Sequence, residues 1–170
     1  MIERKNVIIA LAVVALLVPA AARAQETIKA PLVFGFFEVP ALSTTSMGDL
    51  TGTLNADTID YTLTYSGFAT AVTVAHIHFA QKDVSGGISA FLCGGGSKPA
   101  CPPSGTVVGT IVAADVIGPT GQGIGPGDFA KLAAAMRAGF TYVNVHSTAF
   151  PAGEIRGQLR VAPANAATTQ

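Results

Sequence analysis

The sequence predicts an all-β protein, an antiparallel sandwich or barrel of about eight short strands with one short helix. Three observations carry this reading. The run IDYTLTY alternates cleanly, with Ile59, Tyr61, Leu63 and Tyr65 on one side and Asp60, Thr62 and Thr64 on the other, the period of a half-buried strand. Further runs rich in β-branched and aromatic residues recur along the chain, each bounded by Gly, Pro, Asp or Ser. Only one segment, GPGDFAKLAAAMRAGF, departs from this rhythm toward a helical period.

In chain order, residues 1–24 read as a secretory signal peptide: Arg4 and Lys5 precede an apolar run from Val7 to Leu17, and Ala22-Arg23-Ala24 supplies a small-residue cleavage site before Gln25. The apolar run is short for a transmembrane helix, and no cysteine follows the cut, so no membrane anchor is expected after cleavage. The domain is expected over residues 25–162, with a disordered tail at 163–170. PLVFGFFEV is the first expected strand, ended by Pro40. GDLTGTLN and IDYTLTY form a hairpin around Asn55-Ala56-Asp57. VTVAHIHFA, GGISAFLC, GTVVGTIVA, FTYVNVHS and EIRGQLRV supply the remaining strands. In the exceptional segment Asp128 is placed to cap a helix whose Phe129, Leu132, Ala133 and Met136 fall on one face, with Gly139 as its stop.

Removing Arg4, Lys5 and Arg23 from ten basic residues, and Glu3 from ten acidic ones, leaves seven against nine in the expected mature chain. That balance, without a basic patch, argues against nucleic-acid binding. The two cysteines, Cys93 and Cys101, enclose GGGSKPA. In an exported chain this spacing favours a disulfide closing a small loop over a metal-thiolate pair. The expected location is therefore secreted or periplasmic.

All three histidines of the chain, His76, His78 and His146, lie in strand-like runs. Side chains two apart on a strand share a face, so the imidazoles of His76 and His78 look the same way. Tyr142, Asn144 and His146 likewise share a face. If these strands meet, three imidazoles converge as a ligand set suited to copper or zinc. The competing reading makes the histidines buried polar groups that organise the core. Glu154 and Arg156 are two apart in FPAGEIRGQLR and are expected on one face, either paired with each other or serving the histidines: Glu154 holding an imidazole N–H, Arg156 drawing an anion toward a metal. GGGSK lacks the remainder of a phosphate-loop pattern, no nucleophile elbow occurs, and the scattered aspartates lack calcium-loop spacing.

Read together, GDLTGTL, VAHIH, YVNVH and FPAGEIRGQL, spanning about Phe36 to Leu159, resemble the CHRD domain, a module named after chordin and found in exported bacterial proteins. The resemblance implies a Greek-key β-sandwich of immunoglobulin-like or superoxide dismutase-like kind. It does not imply chordin's growth-factor antagonism, which also depends on cysteine-rich modules that this chain lacks. A weaker likeness to copper/zinc superoxide dismutase implies copper-type ligation by His76, His78 and His146, yet three histidines fall short of that enzyme's two-metal set. The leading expectation is an exported CHRD-domain protein that holds a transition metal, copper before zinc. The alternatives are an extracellular adhesion or protein-interaction module with structural histidines, and a mononuclear copper redox enzyme; a non-enzymatic role is favoured.

Overall fold

The computed structural model describes residues 25–163. The expected signal peptide, and residues 164–170 of the expected tail, lie outside the described residues. The fold is all-β and antiparallel, with nine strands among the described residues: β1 (Glu26–Phe34), β2 (Met47–Leu54), β3 (Ile59–Ser66), β4 (Val72–Phe79), β5 (Gly87–Cys93), β6 (Gly105–Ile111), β7 (Thr141–Ser147), β8 (Ile155–Gln158) and β9 (Arg160–Pro163). Among the described residues one α-helix, α1 (Phe129–Arg137), interrupts them.

The hydrogen-bonded order is β5-β4-β7-β8-β1-β2-β3-β6, with β9 pairing β1 beside β8. The connections β3 to β4 and β5 to β6 leave the ladder, so sequence neighbours separate into different parts of the sheet. The sheet folds over itself into a sandwich and brings its terminal strands β5 and β6 together. Tyr61 of β3 spans the two layers, donating its hydroxyl hydrogen to the Leu92 carbonyl of β5 at 2.7 Å.

Alternation determines what fills the interior. From β1, β2 and β3 come Ile28, Leu50, Leu54, Ile59 and Leu63; from β4, β5, β7 and β8 come Ile77, Leu92, Val143, Val145 and Ile155, all essentially sealed from solvent. The β2–β3 hairpin has an unbroken register from Met47↔Ser66 to Leu54↔Ile59, and its turn is closed by Asn55, whose backbone N–H donates to the Thr58 carbonyl at 2.9 Å. Helix α1 begins where expected: the Asp128 carboxylate accepts from the Lys131 backbone N–H. Phe129, Leu132, Ala133 and Met136 are buried in the same core.

Two boundaries differ from the sequence expectation. The first strand begins earlier, at Glu26, and ends at Phe34, because Gly35–Phe37 turns into a 3-10 helix. EIRGQLRV is two strands, since β1 pairs with β8 through Phe34 and with β9 through Glu26 to Lys29, and Leu159 lies between them.

Cys93 and Cys101 are disulfide-bonded, tying the end of β5 to the loop that leads into β6. In the chain-entropy account a loop this short contributes about 2–3 kcal/mol. The double substitution Cys93→Ser, Cys101→Ser is expected to lower unfolding stability by about that amount, measured by urea titration, while the far-UV circular dichroism of the sheet is retained.

Candidate metal centre

Strands β4 and β7 pair in the register Val74↔His146, His76↔Asn144 and His78↔Tyr142. β8 continues the same face with Asn144↔Arg156 and Tyr142↔Gln158. Ala75, Ile77, Val143 and Val145 point into the core, so period-two alternation turns His76, His78, Tyr142, Asn144, His146 and Arg156 to the opposite face. That face is covered as well. Every residue of β7 is buried, and His76, His78 and His146 are 3, 8 and 8 % exposed.

The structure brings the three histidines together. The ring of His76 lies 4.4 Å from that of His78 and 4.4 Å from that of His146, centroid to centroid, edge-on in both cases. Taking one ring nitrogen from each residue, the three lie within 4.8 Å of one another. Ligands bonded to one zinc or copper ion at about 2.0–2.1 Å stand about 3.4 Å apart at a tetrahedral angle. Small side-chain adjustments therefore suffice for a common ion.

Hydrogen bonding settles which nitrogens are free. His78 Nδ1 is 2.8 Å from the Gly86 carbonyl and His146 Nδ1 is 3.0 Å from the Pro151 carbonyl. A carbonyl only accepts, so each Nδ1 carries the proton and each Nε2 keeps a bare lone pair. Both Nε2 atoms, together with His76 Nδ1, are buried without a hydrogen-bond partner; only three other side-chain atoms share that condition among the described residues, all of them hydroxyl oxygens. Leaving a buried acceptor unpaired costs about 1–3 kcal/mol. Two such acceptors, with the unpartnered His76 Nδ1 beside them, therefore carry a free-energy cost that a bound cation would reduce, and this buried three-histidine group could hold a metal ion.

Burial also keeps the rings neutral. Desolvation pushes the His76 imidazolium pKa down to about 2, assisted by repulsion from His78 and His146. Desolvation brings His78 to about 4 against the opposing hydrogen bond to Gly86, and it lowers His146 too.

The surrounding groups are arranged otherwise than expected. The Glu154 carboxylate accepts from the hydroxyls of Ser46 and Ser147; it holds no imidazole N–H, because the carbonyls of Gly86 and Pro151 occupy those positions. Nor does Glu154 pair with Arg156. The Arg156 guanidinium lies 3.4 Å from the Tyr142 ring centroid, and Nη2 donates to the Val84 carbonyl at 2.8 Å. Tyr142 in turn stacks on His78 at 4.6 Å, with the rings nearly parallel. Arg156, Tyr142 and His78 thus form a pile over one side of the cluster.

Glu38 escaped the sequence reading. Its carboxylate accepts from Asn144 Nδ2, which also donates to the Ile155 carbonyl at 2.9 Å. Burial raises the Glu38 carboxyl to about 7 despite the Asn144 hydrogen bond and the nearby Arg156 charge. Within GFFEVP it has no partner at strand spacing, so only the fold assigns it. Gly153 shares this corner: its φ is +126°, and a Cβ there would stand 2.8 Å from both Asn144 Nδ2 and Glu38 Oε1.

The chain matches the CHRD domain over residues 30–159, and it belongs to that family. Compared with curated proteins and with solved structures, it matches none.

The metal-free protein is expected to lose stability on acidification. Between about pH 4.5 and 6.5 the unfolded chain protonates His76 and His78 while the folded chain does not, so folding stability falls as pH drops. Glu38 works the other way, binding its proton in the folded state over that window. The two histidines outnumber it, so the net slope keeps their sign, small near pH 6.5 and rising to on the order of 1 kcal/mol per pH unit toward pH 4.5. Urea unfolding of chelator-treated protein at pH 6.5 and 4.5 measures this slope.

Proposed function

We propose that this protein is exported through the signal peptide at residues 1–24 and holds a single transition-metal ion on His76, His78 and His146, with copper the preferred metal. The observation that carries the reading is the convergence of three imidazoles whose unpartnered nitrogens are sealed from water. Purely structural histidines would turn such atoms toward donors.

The donor set supports copper over its competitors. Among the described residues it contains imidazole only, with no carboxylate in the group, and the two cysteines are committed to their disulfide. Neutral nitrogen ligands favour copper over zinc by the ordinary affinity order of divalent ions, and hard oxygen-seeking ions such as calcium and magnesium are disfavoured. Loop carbonyls fix the tautomers of His78 and His146, the arrangement that orients metal-binding imidazoles in general.

Burial of all three side chains favours retention over turnover. A redox enzyme needs a coordination position that its substrate can reach, and the cluster lies beneath the carbonyl-bearing loops at Gly86 and Pro151. Storage, delivery or sensing of the ion fits a covered site better. The disulfide is consistent with an oxidising, extracytoplasmic setting.

Titration of chelator-treated protein with Cu(I), Cu(II) and Zn(II) tests the reading. One equivalent of copper is expected to bind more tightly than zinc, and His76→Ala, His78→Ala and His146→Ala are each expected to weaken copper binding at least tenfold while circular dichroism reports an intact sheet. Copper bound equally well by all three folded variants would return the histidines to a structural role.

A further inference from the structure

A second feature lies beside the histidine face and does not depend on a metal. A cavity of about 380 Å³ opens between the end of β8, β9 and the loop after β4, lined by Pro31, Phe37, Lys82, Asp83, Arg156 and Arg160 among others. Its volume falls within the range of small-molecule sites, about 300–1,000 Å³. Three cationic side chains and one carboxylate face it, leaving an excess of two positive charges.

The most informative member is Arg156. It is 3 % exposed, yet among the described residues no carboxylate pairs with it. Its Nη2 donates only to the neutral carbonyls of Val84 and Gln81, and no hydrogen bond among the described residues uses its Nε or Nη1. One guanidinium face rests on Tyr142. Buried guanidinium groups ordinarily have an ionic partner, and this one borders a cavity instead. Asp83 does not serve: it faces Lys82 at 3.8 Å, with both side chains largely in water. The wall formed by Phe37 and Pro31 is apolar, and the Phe37 ring is held edge-on to Phe34.

The geometry points to a binding site for a small organic carboxylate with an apolar body. The carboxylate lies against the free edge of Arg156, with Arg160 and Lys82 adding attraction at the mouth, and the apolar part covers Phe37 and Pro31. A planar carboxylate matches the guanidinium fork, and the partly closed cavity strengthens the pairing relative to water.

Benzoate is a direct probe, with benzamide as its neutral counterpart of like shape and inorganic phosphate as an anion without an apolar body. Amide chemical-shift titration of the full chain, as purified and again after chelation, is expected to show saturable benzoate shifts around Phe37, Lys82 and Arg156 in both preparations. Benzamide and phosphate should each bind at least tenfold more weakly. The surface substitutions Lys82→Gln and Arg160→Gln should each weaken benzoate two- to fivefold, and Arg156→Gln at least tenfold. The two surface variants keep the test decisive if Arg156→Gln fails to fold. Benzamide binding as well as benzoate, phosphate binding as well as benzoate, unchanged affinity in Lys82→Gln and Arg160→Gln, or binding that requires the metal would each overturn the assignment.

Discussion

The pairing of β4 with β7 is the constraint on which the rest of the site depends. Both strands are buried on two faces for most of their length, so the register His76↔Asn144 decides at once what enters the core and what enters the polar layer. A slip of one residue would exchange Ile77 and Val143 for histidine and asparagine in the interior. The apolar residues Ala75, Ile77, Val143 and Val145 thus hold the imidazoles in place without touching the face on which they meet.

That polar layer is satisfied largely by backbone carbonyls. Gly86 and Pro151 take the Nδ1 protons of His78 and His146, Ile155 takes a proton of Asn144, and Val84 receives Arg156. Because carbonyls accept and never donate, they leave the imidazole lone pairs unanswered. Protonating the rings is no remedy, since desolvation and mutual repulsion oppose the charge. Arg156 likewise makes no ion pair, because the Glu154 carboxylate is taken by Ser46 and Ser147 and that of Glu38 by Asn144. Two features of this face, a cluster of free lone pairs and a cation without an ion pair, therefore have a common setting: polar groups collected in a layer whose hydrogen bonds run mostly to neutral backbone carbonyls.

Much of this was legible beforehand where a pattern is local. IDYTLTY alternates in the structure as it does in the sequence, from Ile59 to Tyr65. Asp128 and Gly139 bracket the helix as capping chemistry requires, and the spacing of His76 and His78 already places both rings on one side. The juxtaposition of His146 was not local: it needs two strands far apart in the chain to pair, and only the family resemblance made that expectation concrete. The first strand was misplaced because ETIKAPLVF mixes charge, alanine and proline without a clean period. Glu38 and Ser46, one serine partner of Glu154, were illegible for a related reason, since loops deliver them to the site and no spacing within their own segments records the destination. Gly153 is explained only by what surrounds it, a positive φ beside Asn144 and Glu38.

The most direct test of the account is long-range nitrogen-15 NMR of the three imidazoles at neutral pH, before and after one equivalent of copper(I). The account predicts neutral rings in the metal-free protein, with His78 and His146 protonated at Nδ1 alone, and a shift of the unprotonated nitrogens of all three histidines when the ion is added. Imidazolium rings, protons on Nε2 of His78 or His146, or copper that leaves these nitrogens unmoved would contradict it.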